Sequence, residues 1–215
     1  MKTKSKIRHV SINEDNKYPT QQIRRDPDNR HLYTEGEIRV LTVEEYRKLE
    51  NAIPKDDYKI ILKVLMITGM RYAEVQRLFE NPEWYNKVKN LIHLDSNGQK
   101  KHERVQKERT ISPLPAMFSD TMKLFFSGCK PPEQTSWNRD LQRWCKLAGI
   151  HPYGVSCKFS RKTIESWLIV AGREVTTVCL RQGHDSVTSM HHYQGLAFSD
   201  SERRDINDQL KMWGL

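Results

Sequence analysis

The chain has 215 residues, 36 of them lysine or arginine and 27 aspartate or glutamate, which gives a formal net charge of +9 at pH 7. This length suffices for one large domain, alone or with an arm, and for a buried core. The positive charge favours a polyanionic partner and puts nucleic acid ahead of an anionic membrane, although many basic proteins bind neither.

The distribution of apolar residues and cysteines disfavours several classes of protein. The longest apolar run, residues 60–67, is interrupted by Lys63 and is far shorter than the roughly 20 residues that span a bilayer. The basic N-terminus leads into no apolar stretch, so a secretory signal is not expected. The four cysteines are widely spaced and form no CxxC pair, which disfavours structural zinc and a disulfide framework. We therefore expect a cytoplasmic protein with free thiols, no metal site and no membrane partner.

Residues 1–38 differ in composition from the rest of the chain. They are polar, contain Pro19 and Pro27, and hold eight lysines or arginines before residue 31. Such a composition indicates a basic arm or linker. We expect either a poorly ordered, solvated tail or an arm that contacts nucleic acid, followed by a domain over residues 39–215.

Helical patterns begin near residue 41. Thr42 is placed as an N-cap, and Glu45 three residues later completes a capping box. Pro54 ends this helix, and a largely buried second helix is expected over residues 57–68, with Gly69 as its C-terminal stop. Further helices are predicted over residues 71–79, 117–126, 136–148, 160–171, 174–181, 186–193 and 200–213.

Residues 84–115 have a different pattern. Residues 91–94 indicate a strand, residues 95–98 a turn, and residues 110–111 a second strand reached through the basic stretch 100–109. The sequence therefore predicts a small antiparallel hairpin or three-stranded sheet on a helical body. The expected fold class is α+β and mainly α-helical.

Four short segments place residues suited to phosphate chemistry beside helix boundaries. Arg71 follows the glycine stop of the second helix, and Arg161 begins a later helix. His184 follows a glycine at a helix end, and Tyr193 comes nine residues after it. A guanidinium can hold two phosphate oxygens, and a positive helix end helps to hold an anion. Each residue alone is more often a surface charge or a packing residue, but together they suffice for nucleophilic attack on a phosphodiester.

In order and spacing these segments resemble the tyrosine recombinase (phage integrase) family over residues 41–200. Residues 68–74 read TGMRYAE and match the family pattern T-G-x-R-x-x-E. Residues 158–161 read KFSR where the family usually has H-x-x-R. Residues 182–184 read QGH where the family has L-G-H, followed nine residues later by a tyrosine, here Tyr193. Gln182 in place of leucine is expected to matter little.

The resemblance implies a catalytic domain over residues 39–215 that cleaves and rejoins DNA without a metal or cofactor. It implies that Tyr193 attacks the phosphodiester, leaving a 3′-phosphotyrosyl bond and a free 5′-hydroxyl. Arg71 and Arg161 would neutralise the phosphate, and His184 would hydrogen-bond it. Lys158 stands where histidine is usual, and we expect it to stabilise charge, since a lysine is a poor neutral acceptor near pH 7.

The family's catalytic lysine lies in a β-hairpin, which corresponds here to the basic stretch 100–109. Lys107, two residues before Arg109, resembles the entry to the second strand of that hairpin, and Lys101 is the alternative. Either would protonate the leaving oxygen as general acid. The other charges of this stretch are expected to meet solvent or backbone phosphates.

Duplex DNA is the expected partner, because exposed aromatic residues are not interleaved with basic ones as in single-strand binders. Six basic residues are candidate contacts to phosphates: Lys100, Arg104, Arg109, Arg139, Arg143 and Lys146. The last three share one face of a predicted helix, which either enters a groove of DNA or is a solvated basic face.

Two features concern assembly. The C-terminal helix, residues 200–213, carries Ile206, Leu210 and Trp213 on one face. The resemblance implies docking of this segment on a neighbouring subunit in a dimer or tetramer on DNA, and the alternative is docking on its own domain. The family also carries a separate helical core-binding domain, for which about 40 N-terminal residues are too few. We expect either an isolated catalytic domain or a reduced arm that clamps DNA.

Two other functions fit the same residues. A type IB topoisomerase-like enzyme would use them to relax DNA alone, and a non-catalytic DNA-binding accessory protein would retain a degenerate site, as Lys158 suggests. An RNA-binding protein is less favoured because the chain has no recognisable RNA-binding module.

Overall fold

The computed structural model describes residues 22–95, 108–112, 114–183 and 197–215. The description begins with a three-stranded antiparallel sheet of β1 (Gln22–Arg25), β2 (His31–Glu35) and β3 (Ile38–Arg39). Eight α-helices follow within these ranges: α1 (Val43–Ala52), α2 (Asp56–Thr68), α3 (Tyr72–Glu80), α4 (Phe118–Phe126), α5 (Gln134–Leu147), α6 (Phe159–Val170), α7 (Val175–Gln182) and α8 (Asp200–Trp213). A second sheet contains β4 (Tyr85–Asn86), β5 (Leu91–Leu94) and β6 (Arg109–Ile111).

The N-terminal sheet differs from the sequence-based expectation of an arm. The four residues after His31 in β2 are buried. The Tyr33 ring packs on Phe198 with centroids 4.7 Å apart, and the Arg39 amide donates to the Gly154 carbonyl at 3.0 Å. Because these partners are distant in sequence, the local pattern could not indicate the strands. Residues 1–21 lie outside the described ranges, and the arm remains a prediction for them.

Local signals in the helices and the second sheet are confirmed. The Thr42 hydroxyl accepts from the Glu45 amide while the Glu45 carboxylate accepts from the Thr42 amide, so the capping box is complete. Helix α2 ends at Gly69 in the left-handed conformation, φ 65°. Strands β5 and β6 pair antiparallel, with Ile92 opposite Ile111. The predicted helix 186–193 and all of residues 96–107 lie outside the described residues.

Helix α6 is the centre of the core. It packs against α2, α7, α8 and β3, and most of its residues from Phe159 to Leu168 are buried. Trp167 stacks on Trp213 of α8, with centroids 5.9 Å apart. This packing fixes the first turn of α6 beside the ends of α2 and α7.

None of the helices in the described ranges combines the length and apolar character needed to cross a membrane.

Candidate active site

Arg71 lies in a tight connection between α2 and α3. The chain turns at Gly69, and the Thr68 hydroxyl donates to the Val64 carbonyl at 2.6 Å and accepts from the Met70 amide at 3.2 Å. Arg71 is the N-cap residue of α3, and its amide and Nη1 both donate to the Glu74 carboxylate, at 2.8 and 2.9 Å. The predicted turn therefore holds this guanidinium at a helix boundary.

Arg161 joins the ends of α2 and α7 from the first turn of α6. Its Nη1 donates to the Gly69 carbonyl at 2.9 Å, and its Nη2 donates to the Gln182 carbonyl. Only 7% of the residue is exposed. Burial, and secondarily the nearby charge of Arg71, lowers the pKa of Arg161 to about 10. The guanidinium thus remains a cation at neutral pH.

Arg71, Arg161 and Lys158 line one cavity of about 300 Å³. The other residues that line it are Ile38, Tyr72, Ala73, Gln134, Cys157 and Lys162. Arg71 is 87 residues before Lys158 and 90 residues before Arg161 in the sequence, yet all three cations meet at one opening. Such a cavity suits a phosphate group, which guanidinium and ammonium groups bind by charge and hydrogen bonding.

A buried carboxylate, that of Glu74, binds two of the arginines in this part of the structure. Glu74 is 3% exposed, and besides its bonds from Arg71 it accepts from Arg109 Nη2 at 2.6 Å. Burial by itself would raise the pKa of Glu74, but the charges of Arg109 and Arg71 outweigh it and hold the pKa below its ordinary value. Arg109 is 8% exposed. Contact of Arg109 with DNA remains a prediction.

The end of α7 is closely packed on the same region. Arg181 Nη2 donates to the Ile67 carbonyl at 2.6 Å. Gly183 has a φ of 66°, and a Cβ there would come within 2.8 Å of Arg109 Cδ. A glycine is therefore required both by conformation and by space. The next residue, His184, lies outside the described residues, as do Tyr193, Lys100, Lys101, Arg104 and Lys107.

Gln182 has a larger structural role than its sequence position indicated. Its side chain is fully buried, and a Cβ on Gly69 would come within 2.1 Å of its amide nitrogen. Among the described residues that amide has no hydrogen-bond partner. Lys162 also lines the cavity, although the sequence analysis did not single it out.

The predicted basic face of α5 is exposed. Arg139, Arg143 and Lys146 face solvent, while the opposite face buries Trp137 and Trp144. The first residue of this helix, Gln134, lines the cavity, so the basic face extends away from it along the helix. Contact of these three residues with DNA remains a prediction.

The C-terminal helix docks on its own domain. Ile206, Leu210 and Trp213 of α8 are buried, and the helix packs against α1 and α6 of the same chain. In this chain α8 therefore packs within its own domain, and its docking on a neighbouring subunit remains a prediction.

Comparisons with known proteins give similarity at the level of fold. No protein-family model and no curated protein sequence matches the chain. The structure of the XerA recombinase superposes with a TM-score of 0.56 at 18% identity, covering 79% of this chain and 64% of that chain. The Tn1549 transposon integrase in complex with transposon right end DNA gives 0.59 at 14% identity, covering 85% of this chain and 68% of that one.

The same integrase in complex with circular intermediate DNA gives a TM-score of 0.61 at 14% identity, covering 82% of this chain and 68% of that one. The chain thus spans about two thirds of the length of these solved structures. Its helical body with two small antiparallel sheets is the fold of the tyrosine recombinase catalytic domain.

Proposed function

We propose that the protein is a site-specific DNA recombinase or integrase that cleaves and rejoins duplex DNA through a transient covalent bond to Tyr193. The observation that carries this proposal is the convergence of Arg71, Arg161 and Lys158 on one cavity. The fold similarity to a recombinase, and to an integrase in complex with DNA, supports the same function.

The reaction begins with a phosphodiester in the cavity. Arg71 and Arg161 offset its charge and gain most in the transition state, where negative charge accumulates on the non-bridging oxygens. A tyrosine hydroxyl with an ordinary pKa of about 10 is a weak nucleophile, so its attack depends on this stabilisation. His184 hydrogen-bonds the same phosphate, and Lys158 adds positive charge.

The chemical step exchanges one ester bond for another. The Tyr193 oxygen forms a bond to phosphorus and releases its proton to solvent, the bond from phosphorus to the 5′-oxygen breaks, and Lys107 or Lys101 donates a proton to that leaving oxygen. A 5′-hydroxyl of a second strand then reverses the step. Because the phosphotyrosyl bond conserves the energy of the phosphodiester, rejoining needs no nucleotide hydrolysis. Self-association on DNA, as a dimer or tetramer, would bring the second strand to the site.

A covalent-trapping assay tests the proposal. The probe is a pool of random-sequence duplex oligonucleotides with nicks, so that the short cleaved product diffuses away and the adduct persists. We expect a protein–DNA adduct whose peptide, identified by mass spectrometry, carries the nucleotide on Tyr193. Tyr193→Phe should bind the pool normally and form no adduct, and an adduct on another residue would refute the assignment of the nucleophile.

The same assay separates the alternatives. A chain that binds duplex DNA with a steep salt dependence but forms no adduct would be a DNA-binding accessory protein. A chain that forms the adduct, relaxes a supercoiled plasmid and joins no strands between two duplexes would be a type IB topoisomerase-like enzyme.

A further inference from the structure

A fourth cation lies in the wall of the cavity. Lys162 follows Arg161 on α6 and lines the same opening. Its ammonium is 2.6 Å from a carboxylate oxygen of Glu35 on β2 and 3.5 Å from one of Glu165, one turn further along α6. The Glu35 and Glu165 side chains are 3% and 0% exposed, whereas that of Lys162 is 18% exposed.

The two carboxylates need this lysine because a buried anion is costly without a paired cation. Burial raises the pKa of Glu35, and the Lys162 charge opposes that rise. Glu165 also acts on the neighbouring guanidinium, since its charge opposes the lowering of the Arg161 pKa by burial. Lys162 is therefore an anchored ammonium rather than a solvated surface lysine, and its position is set before any ligand arrives.

An anchored ammonium at the edge of a cationic cavity is well suited to an anion. A lysine acts on phosphate as a compact point charge, and a side chain already held in place loses little conformational entropy on binding. A purely structural role would need only the ion pair between β2 and α6. It would not need the lysine to line the opening shared by Arg71 and Arg161.

We propose that Lys162 is a further phosphate-binding residue of this site and that Glu35 and Glu165 are its positioning residues. The N-terminal sheet is then part of the active site, since β2 supplies one of the two carboxylates. The identity of the phosphate as part of DNA rests on the proposed function.

A binding experiment counts the phosphate contacts. The parent protein and the Lys162→Gln variant both carry Tyr193→Phe, so that no chemistry occurs. The probe is the random-sequence duplex pool. The logarithm of the binding constant falls linearly with the logarithm of salt concentration, with a slope of about 0.9 per neutralised phosphate. We expect Lys162→Gln to reduce that slope by about 0.9 and to weaken binding about tenfold at low salt.

The matched control is Lys123→Gln. Lys123 is also ion-paired, with Asp120 at 2.7 Å, but it is exposed on α4 and does not line the cavity. Its slope and affinity should equal those of the parent protein. Lys162→Arg keeps the charge and should keep the slope.

A second variant guards against simple misfolding. Lys162→Gln leaves Glu35 and Glu165 buried without their cation, so it is compared with the triple variant Glu35→Gln, Lys162→Gln, Glu165→Gln, in which all three charges are gone. We expect the triple variant to recover most of the melting temperature and still to show the reduced salt slope. A triple variant with the parent slope would overturn the proposal and leave Lys162 a structural residue.

The covalent assay keeps this outcome separate from the proposed function. With Tyr193 intact, Lys162→Gln should form the adduct about tenfold more slowly than Lys123→Gln, by the loss of one charged contact. Equal adduct rates with a normal parent would refute only the role of Lys162. Absence of any adduct in the parent would refute the recombinase function, while the salt slopes would still report on phosphate binding.

Discussion

Removal of the Glu74 carboxylate tests how the site is held together. Glu74 is 4% exposed in its side chain and pairs with an Arg109 side chain that is 5% exposed. Breaking a buried ion pair by removing one partner typically costs about 3–5 kcal/mol, because the other charge stays buried without compensation. We expect Glu74→Ala to lower the free energy of unfolding by that amount and the melting temperature by about 6–20 °C.

The measurement is urea unfolding at pH 7, with two comparison variants. Glu44→Ala removes a glutamate that is 74% exposed and pairs with Lys48 on the surface of α1, and it should cost less than about 1 kcal/mol. Replacing both buried partners, Glu74→Leu with Arg109→Met, should recover much of the loss, since a buried pair is often replaceable by apolar groups. If the double variant is no more stable than Glu74→Ala, the cost does not come from an uncompensated Arg109.

The pH dependence of stability checks the same carboxylate. Its folded pKa lies below the ordinary value of 4.5, so the unfolded chain binds the proton more readily. The stabilisation is therefore fully present above about pH 4.5 and is lost as the pH falls through the lower folded pKa. The parent protein should lose stability over that acidic range more steeply than Glu74→Leu, Arg109→Met. Parallel curves would show that Glu74 does not titrate with a lowered pKa.

Three further predictions concern stability. Gly69→Ala should lower the free energy of unfolding more than Gly149→Ala. Both glycines have positive φ, but of the two only Gly69 would place a Cβ against another side chain, that of Gln182 at 2.1 Å. We expect an added loss of about 1–3 kcal/mol in urea unfolding, and equal losses would contradict the close approach. Gln182→Leu should stabilise the protein by about 1 kcal/mol by removing a buried amide that has no partner among the described residues; a loss of stability would show that the amide is bonded. Trp213→Ala should cost about 3–5 kcal/mol, with a melting temperature independent of protein concentration, because α8 packs on its own chain; concentration dependence would indicate docking between chains.

The local sequence determined most of the helical body. Thr42 with Glu45 specified the start of α1, and Gly69 specified the end of α2, because caps and left-handed stops involve residues only a few positions apart. The two faces of α5 followed from helical periodicity in the same way. The motif order placed Arg71 and Arg161 at helix boundaries, where the structure has them.

Tertiary structure alone decided which of these groups meet. Arg161 reaches the carbonyl of Gly69, 92 residues away, and Glu35 reaches Lys162 across 127 residues. The N-terminal sheet and the burial of Arg109 likewise depend on partners that no local pattern encodes. A side chain becomes a site residue through its neighbours in space, and charge pairing over such separations exists only once the core around α6 has formed.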